Sequence, residues 1–152
     1  MTTQERHGRA PSGFSALLCA TPAAVRESLA ELEAWLAASG LLAEDAATVE
    51  LVVAEVLNNV VEHAYCGQDN GAILLRAAWC RRGLAVCVRD FGGPMPGGRL
   101  PRGAPRPLDV PLEELPEGGF GWFLVNRLAD DLSYRRRGKV NDLSFRILLN
   151  AA

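Results

Sequence analysis

Residues 44–65 read EDAATVELVVAEVLNNVVEHAY. Within this stretch Val49, Val52, Val53, Val56, Val60 and Ala64 recur three or four apart, the spacing of one face of an α-helix. The segment predicts a long amphipathic helix that ends at Gly67 and the turn-like Asp69-Asn70-Gly71. Glu55 and Asn59 stand four apart on it, so they project from one face with Cβ atoms about 5–6 Å apart. A carboxylate and an amide on so apolar a helix cost several kcal/mol to desolvate unless something polar meets them. A ligand or a metal ion would meet that need, and so would water if the pair shares a solvated face with Glu50 and Glu62. Asn58 points about 100° away from Asn59.

On the N-terminal side, 14–20 is a short apolar run that predicts a strand. Thr21 then caps a helix with Pro22 in its first position, and Val25, Leu29, Leu32 and Leu36 carry the helical period through 23–39 to a stop at Gly40. On the C-terminal side, 73–80 and 84–88 are β-rich and joined by Arg81-Arg82-Gly83, the pattern of an antiparallel hairpin. A helix over 119–128 follows, then alternating strands over 132–136 and 143–149. This order predicts an α+β fold in two layers: a mostly antiparallel, mixed sheet with helices on one face. Regular alternation of β and α, the mark of a doubly wound nucleotide fold, is missing.

The composition agrees with one folded domain. Of 152 residues 49% are apolar and 22% charged, and we expect a flexible tail at 1–12 followed by a single domain over 13–152. A net charge of -2 supplies no chain-wide basic field, so neither nucleic acid nor a membrane surface is an expected partner. No apolar run approaches the roughly 18 residues of a membrane span, and 1–11 has no leader-like apolar core, so the expected location is cytoplasmic. Cys19, Cys66, Cys80 and Cys87 sit in apolar stretches without C-x-x-C pairing and read as reduced core thiols. Trp35, Trp79 and Trp122 read as core residues, His63 as a helix-end residue packed on the sheet, and Arg135-Arg136-Arg137 as a solvated strand end.

Between 91 and 118 the character changes, with seven of the nine prolines concentrated there. A loop of this length inside a folded domain points to a lid or a binding segment. Two glycine-bearing motifs flank it. Asp90-Phe91-Gly92 closes the strand before it, where a carboxylate accepts from an amino group and glycine permits close approach, although Asp in an ordinary turn looks the same. Gly119-Phe120-Gly121 opens the helix after it, where free backbone amides and the helix dipole favour phosphate, and where a hinge would also read this way. The Gly-Lys-Ser/Thr ending of a P-loop is not present.

Taken together and in this order, the three elements resemble the Bergerat-type ATPases: gyrase, MutL, Hsp90-like chaperones and histidine kinases. Within that superfamily they are most similar to the stand-alone anti-sigma-factor serine/threonine kinases. Glu55-Val-Leu-Asn58-Asn59-Val-Val-Glu-His63-Ala64-Tyr65 resembles the E-x-x-x-N-x-x-x-H-A-Y box, Asp90-Phe91-Gly92 the D-x-G box, and Gly119-Phe120-Gly121-Trp122-Phe123-Leu124-Val125 the G-x-G box. The resemblance implies ATP and Mg²⁺ as cofactors, with Asn59 as the metal ligand and Glu55 as the general base. It further implies Asp90 and Gly92 on the adenine, Gly119, Phe120 and Gly121 at the phosphates, and a lid over 94–118 in which Arg102 and Arg106 offer charge. Phe120 stands where these kinases often carry a basic or polar residue, and Gly93-Pro94-Met95-Pro96 is one residue shorter than the usual Pro-x-x-Pro run. The function implied is an ATP-dependent protein serine/threonine kinase acting as an anti-sigma factor, which phosphorylates a STAS-domain anti-anti-sigma protein and sequesters a sigma factor. A homodimer is compatible with it. The alternative is a nucleotide-binding regulatory module that holds a partner without phosphoryl transfer; retention of Glu55 favours the enzyme.

Overall fold

The computed structural model describes residues 13–68, 70–101 and 119–149. Strand β1 (Gly13–Cys19) leads into helices α1 (Pro22–Ala38) and α2 (Ala43–Asn59), followed by strands β2 (Ala72–Cys80) and β3 (Gly83–Asp90). After the long loop come α3 (Gly119–Leu128), β4 (Asp130–Arg137) and β5 (Val140–Leu148). The five strands form one sheet in the order β1-β2-β3-β5-β4, and every neighbouring pair is antiparallel. The expected two-layer α+β arrangement is present, with no parallel pair among the described strands. The tail at 1–12 and the lid segment at 102–118 lie outside the described residues.

Local chemistry explains where the helices start and stop. Thr21 is in extended conformation and its Oγ1 accepts from the Ala24 amide at 3.1 Å, with Pro22 in the first turn of α1. Gly40 follows the helix with φ of 76°, a conformation glycine adopts without steric cost. α2 carries Glu44 and Asp45 in its first turn, where acidic groups complement the helix dipole.

Alternation along the strands and the 3.6-residue period of the helices converge on one core. Ile73, Leu75, Leu84, Val86, Val88 and Ile147 point from the sheet toward α2, whose Val49, Val52, Val53, Val56 and Leu57 are almost wholly buried. The opposite face of the sheet presents Leu17, Arg76, Arg89 and Arg146 outward. Alternation also corrects the reading of the thiols: Cys19 and Cys66 are exposed and Cys80 and Cys87 only half-buried, so none belongs to the core. Trp35 and Trp122 are buried as expected, whereas Trp79 is 36% exposed and stacks on Trp35 at 5.1 Å between ring centroids.

The long helix differs from its sequence reading in one respect. Its α-helical part ends at Asn59, and Val60–Ala64 forms a π turn closed by the Tyr65 amide on the Val60 carbonyl at 3.2 Å. At the end of this turn the Ala64 carbonyl accepts from the Gly93 amide at 2.7 Å. Leu57→Ala, at a fully buried position, is expected to cost about 2–5 kcal/mol in urea denaturation, whereas the exposed Asn58→Ala stays within about 0.5 kcal/mol.

Candidate active site

Asp90 ends β3 with its side chain on the helix-facing side, where it is 5% exposed. Its Oδ1 accepts from the Gly92 amide at 2.9 Å and from Asn141 Nδ2 at 2.8 Å, which leaves Oδ2 for a ligand. Burial pushes the carboxyl above its ordinary pKa, while the bonds from Asn141 and Gly92 and the nearby charge of Arg136 pull it back. The turn after Asp90 is also clamped from the residue that follows the π turn. The Tyr65 hydroxyl donates to the Ala72 carbonyl at 2.6 Å and accepts from the Phe91 amide at 2.8 Å. At Gly92 a Cβ would collide with the Ala64 carbonyl, so glycine makes room there for the end of the helix, and Gly93 lines the pocket.

Glu55 and Asn59 sit half-buried on the flank of α2 that faces the start of α3. Asn59 Nδ2 donates to the Glu55 carbonyl at 2.8 Å, so the amide oxygen is the end of that side chain left for a ligand. Gly121, in the first turns of α3, packs so closely that a Cβ would collide with Glu55 Oε2 and come within 3.9 Å of Asn59 Nδ2. The structure therefore brings Glu55, Asn59 and Gly121 together, and Asn59 and Asp90 share one pocket. Gly119 and Phe120 form the first turn of α3, and the side chain of Phe120, with all of Arg102 and Arg106, lies outside the described residues.

The pocket encloses about 330 Å³, in the range of small-ligand sites. Asn59, Val60, His63 and Ala64 form one wall, Asp90 and Asn141 the polar floor, and Met95, Pro101 and Trp122 the far side. A larger hollow of about 600 Å³ lies on the outer face of the sheet, lined by Ser15, Arg76, Cys87 and Arg146, where none of the three motifs reaches. The first residues of the long loop are tied down at two points: the Met95 amide donates to the Tyr134 hydroxyl at 3.1 Å, and Asn126 Nδ2 to the Pro101 carbonyl at 3.0 Å. His63 is 62% exposed on the pocket wall rather than packed on the sheet, 3.9 Å from Glu62. Sequence reading assigned no role to Tyr65, Tyr134, Arg136 or Asn141; the two-residue period of β4 and β5 places the last three on the helix-facing side, and that register was the signal for them.

The histidine kinase-like ATPase domain model matches residues 18–147, which is most of the chain. The chain belongs to that family. Within it, the chain is 32% identical over 94 residues to the serine-protein kinase RsbW of Bacillus thuringiensis (strain Al Hakam), and 33% identical over 95 residues to that of Bacillus anthracis (strain CDC 684). Each match covers 61% of this ATPase-domain chain and 58% of the relative. The fold resembles the crystal structure of the RsbU and RsbW domains of Rv1364c from Mycobacterium tuberculosis, with a TM-score of 0.63 and 21% identity over 90% of this chain and 32% of that one.

The two close-packed glycines are expected to respond differently to an added methyl group. Gly92→Ala pushes on backbone and should lower the melting temperature by several degrees, an effect of roughly 1–3 kcal/mol for overpacking. Gly121→Ala meets the movable end of Glu55, so thermal unfolding should shift little while nucleotide turnover falls.

Proposed function

We propose that this ATPase-family chain is an ATP-dependent protein serine/threonine kinase acting in the cytoplasm as an anti-sigma factor. It would phosphorylate a hydroxyl of a STAS-domain anti-anti-sigma protein and sequester a sigma factor. The observation that carries the reading is the Glu55 carboxylate lying against Gly121 at the start of α3, one turn from Asn59. The RsbW relatives named as serine-protein kinases support the choice of acceptor.

Each residue then has a chemical task. Asp90 Oδ2 accepts from the amino group of adenine, and Gly93 and Met95 border the base. The backbone amides of Gly119, Phe120 and Gly121 face the phosphates at a helix N-terminus. Glu55 takes the proton of the acceptor hydroxyl as its oxygen bonds to the γ-phosphorus, while the bond to the β–γ bridging oxygen breaks and ADP leaves. Mg²⁺, when bound, neutralises charge on the phosphates. The Asn59 amide oxygen fits it as a single protein ligand, since this hard ion takes oxygen donors and keeps waters and phosphate oxygens for the rest. Among the described residues no helix is long and apolar enough to cross a membrane.

The test incubates the chain with labelled ATP, Mg²⁺ and STAS-domain proteins from the same genome. Label should pass to a serine or threonine, and Glu55→Ala should slow transfer by about 10²–10⁴ while ATP still binds. Asn59→Ala should weaken Mg-ATP binding by about tenfold. Transfer by Glu55→Ala at the wild-type rate would remove the base assignment. Binding without transfer by the wild-type chain would leave a regulatory nucleotide-binding module.

A further inference from the structure

Polar contacts extend from the pocket floor to Arg136, whose side chain does not line the pocket. Asp90, Asn141 and Arg136 stand opposite one another on β3, β5 and β4, so the register lines them up in one row on the helix-facing side. The triplet Arg135-Arg136-Arg137 therefore divides, with its outer members exposed and Arg136 half-buried, which corrects its reading as a uniformly solvated strand end. Arg136 Nη1 donates to the Gly92 carbonyl at 2.9 Å and to Asn141 Oδ1 at 2.8 Å. The Tyr134 hydroxyl donates to the same Asn141 oxygen at 2.6 Å. Two donors at Oδ1, one of them charged, fix the orientation of the amide. Its Nδ2 must then face Asp90 Oδ1 at 2.8 Å and the Gly93 carbonyl at 2.9 Å. Arg136 is not among the residues that line the pocket.

We propose that Arg136 is a positioning residue for base recognition: without touching the ligand, it orients Asn141 and pins the Gly92 carbonyl so that Asp90 presents Oδ2 to an amino group on the base. This rests on the reading of the pocket as a nucleotide site. Without the guanidinium, Asn141 is held at Oδ1 by Tyr134 alone, and a rotated amide sets oxygen against the Asp90 carboxylate. Asp90 and Asn141 are 5% and 3% exposed, so water has little room to replace the lost donor. The charge of Arg136 also opposes the upward pull of burial on the Asp90 carboxyl, which favours the acceptor form.

Titrations of the wild type, Arg136→Ala and Arg136→Lys with two nucleotides test this: ATP, and the purine riboside triphosphate in which hydrogen replaces the 6-amino group. Arg136→Ala should weaken ATP by about ten- to a hundredfold and the analogue by less than about threefold, so the wild-type preference for ATP collapses. Arg136→Lys keeps a charge and a donor and should retain part of that preference. In turnover the loss should fall on KM for ATP, with kcat nearly unchanged. Equal loss of both nucleotides, or loss of neither, overturns the proposal. If Arg136→Ala does not fold, Arg136→Lys and Tyr134→Phe carry the comparison, and an unchanged preference in both overturns it. A wild-type chain that binds ATP and the analogue equally also refutes the proposal, while one that binds neither refutes the nucleotide reading itself.

Discussion

A carboxylate kept almost out of water needs polar company, and the functional end of this domain is arranged around Asp90. The end of β3 that carries it is stapled to β5 on both faces, by two successive pairs. On the inner side Asn141 donates to Asp90, and on the outer side Arg89 grips Asp142 through two bonds of 2.7 and 2.9 Å. β3 and β5 are thereby joined where the long loop departs. The turn after Asp90 is held from the helical layer by the Ala64 carbonyl and the Tyr65 hydroxyl, and from the sheet by Asn141 and Arg136. A preformed turn loses little conformational freedom when it meets a ligand.

The same economy governs α2. One side of the helix is a valine surface packed into the core, and this backing sets the azimuth of Glu55 and Asn59 on the adjoining flank. α3 approaches that flank with Gly121 foremost, where a Cβ would meet the end of the Glu55 side chain. The two parts of the site thus rest on different supports: helix against helix for Glu55, Asn59 and Gly121, strand against strand for Asp90.

Much of this was legible in the chain. The valine period set α2, the Thr21-Pro22 pair set the start of α1, and the spacing of Glu55, Asn59, Asp90 and Gly121 carried the family resemblance. What escaped reading depends on register. Arg136 sits between two exposed arginines, and only its pairing with Asn141 shows that it turns inward. The packing of Gly92 on the Ala64 carbonyl was hidden because that contact is a tertiary fact. The π turn at Val60–Ala64 was hidden too, since its hydrophobic spacing differs little from an α-helix over one turn. Cys19 and Cys87 misled for a related cause: apolar neighbours in a strand say nothing about which face a residue takes.

In the proposed reading the end of α2, the Asp90 turn and the start of α3 form one nucleotide pocket. Backbone and side-chain amide NMR during titration with Mg-ATP tests it most directly. Saturable shifts should gather at Asn59, Gly92, Gly93, Gly121 and the Asn141 side chain, while Ser15, Arg76 and Ser144 on the outer sheet face stay still. Shifts confined to that outer face, or none at saturating nucleotide, would contradict it.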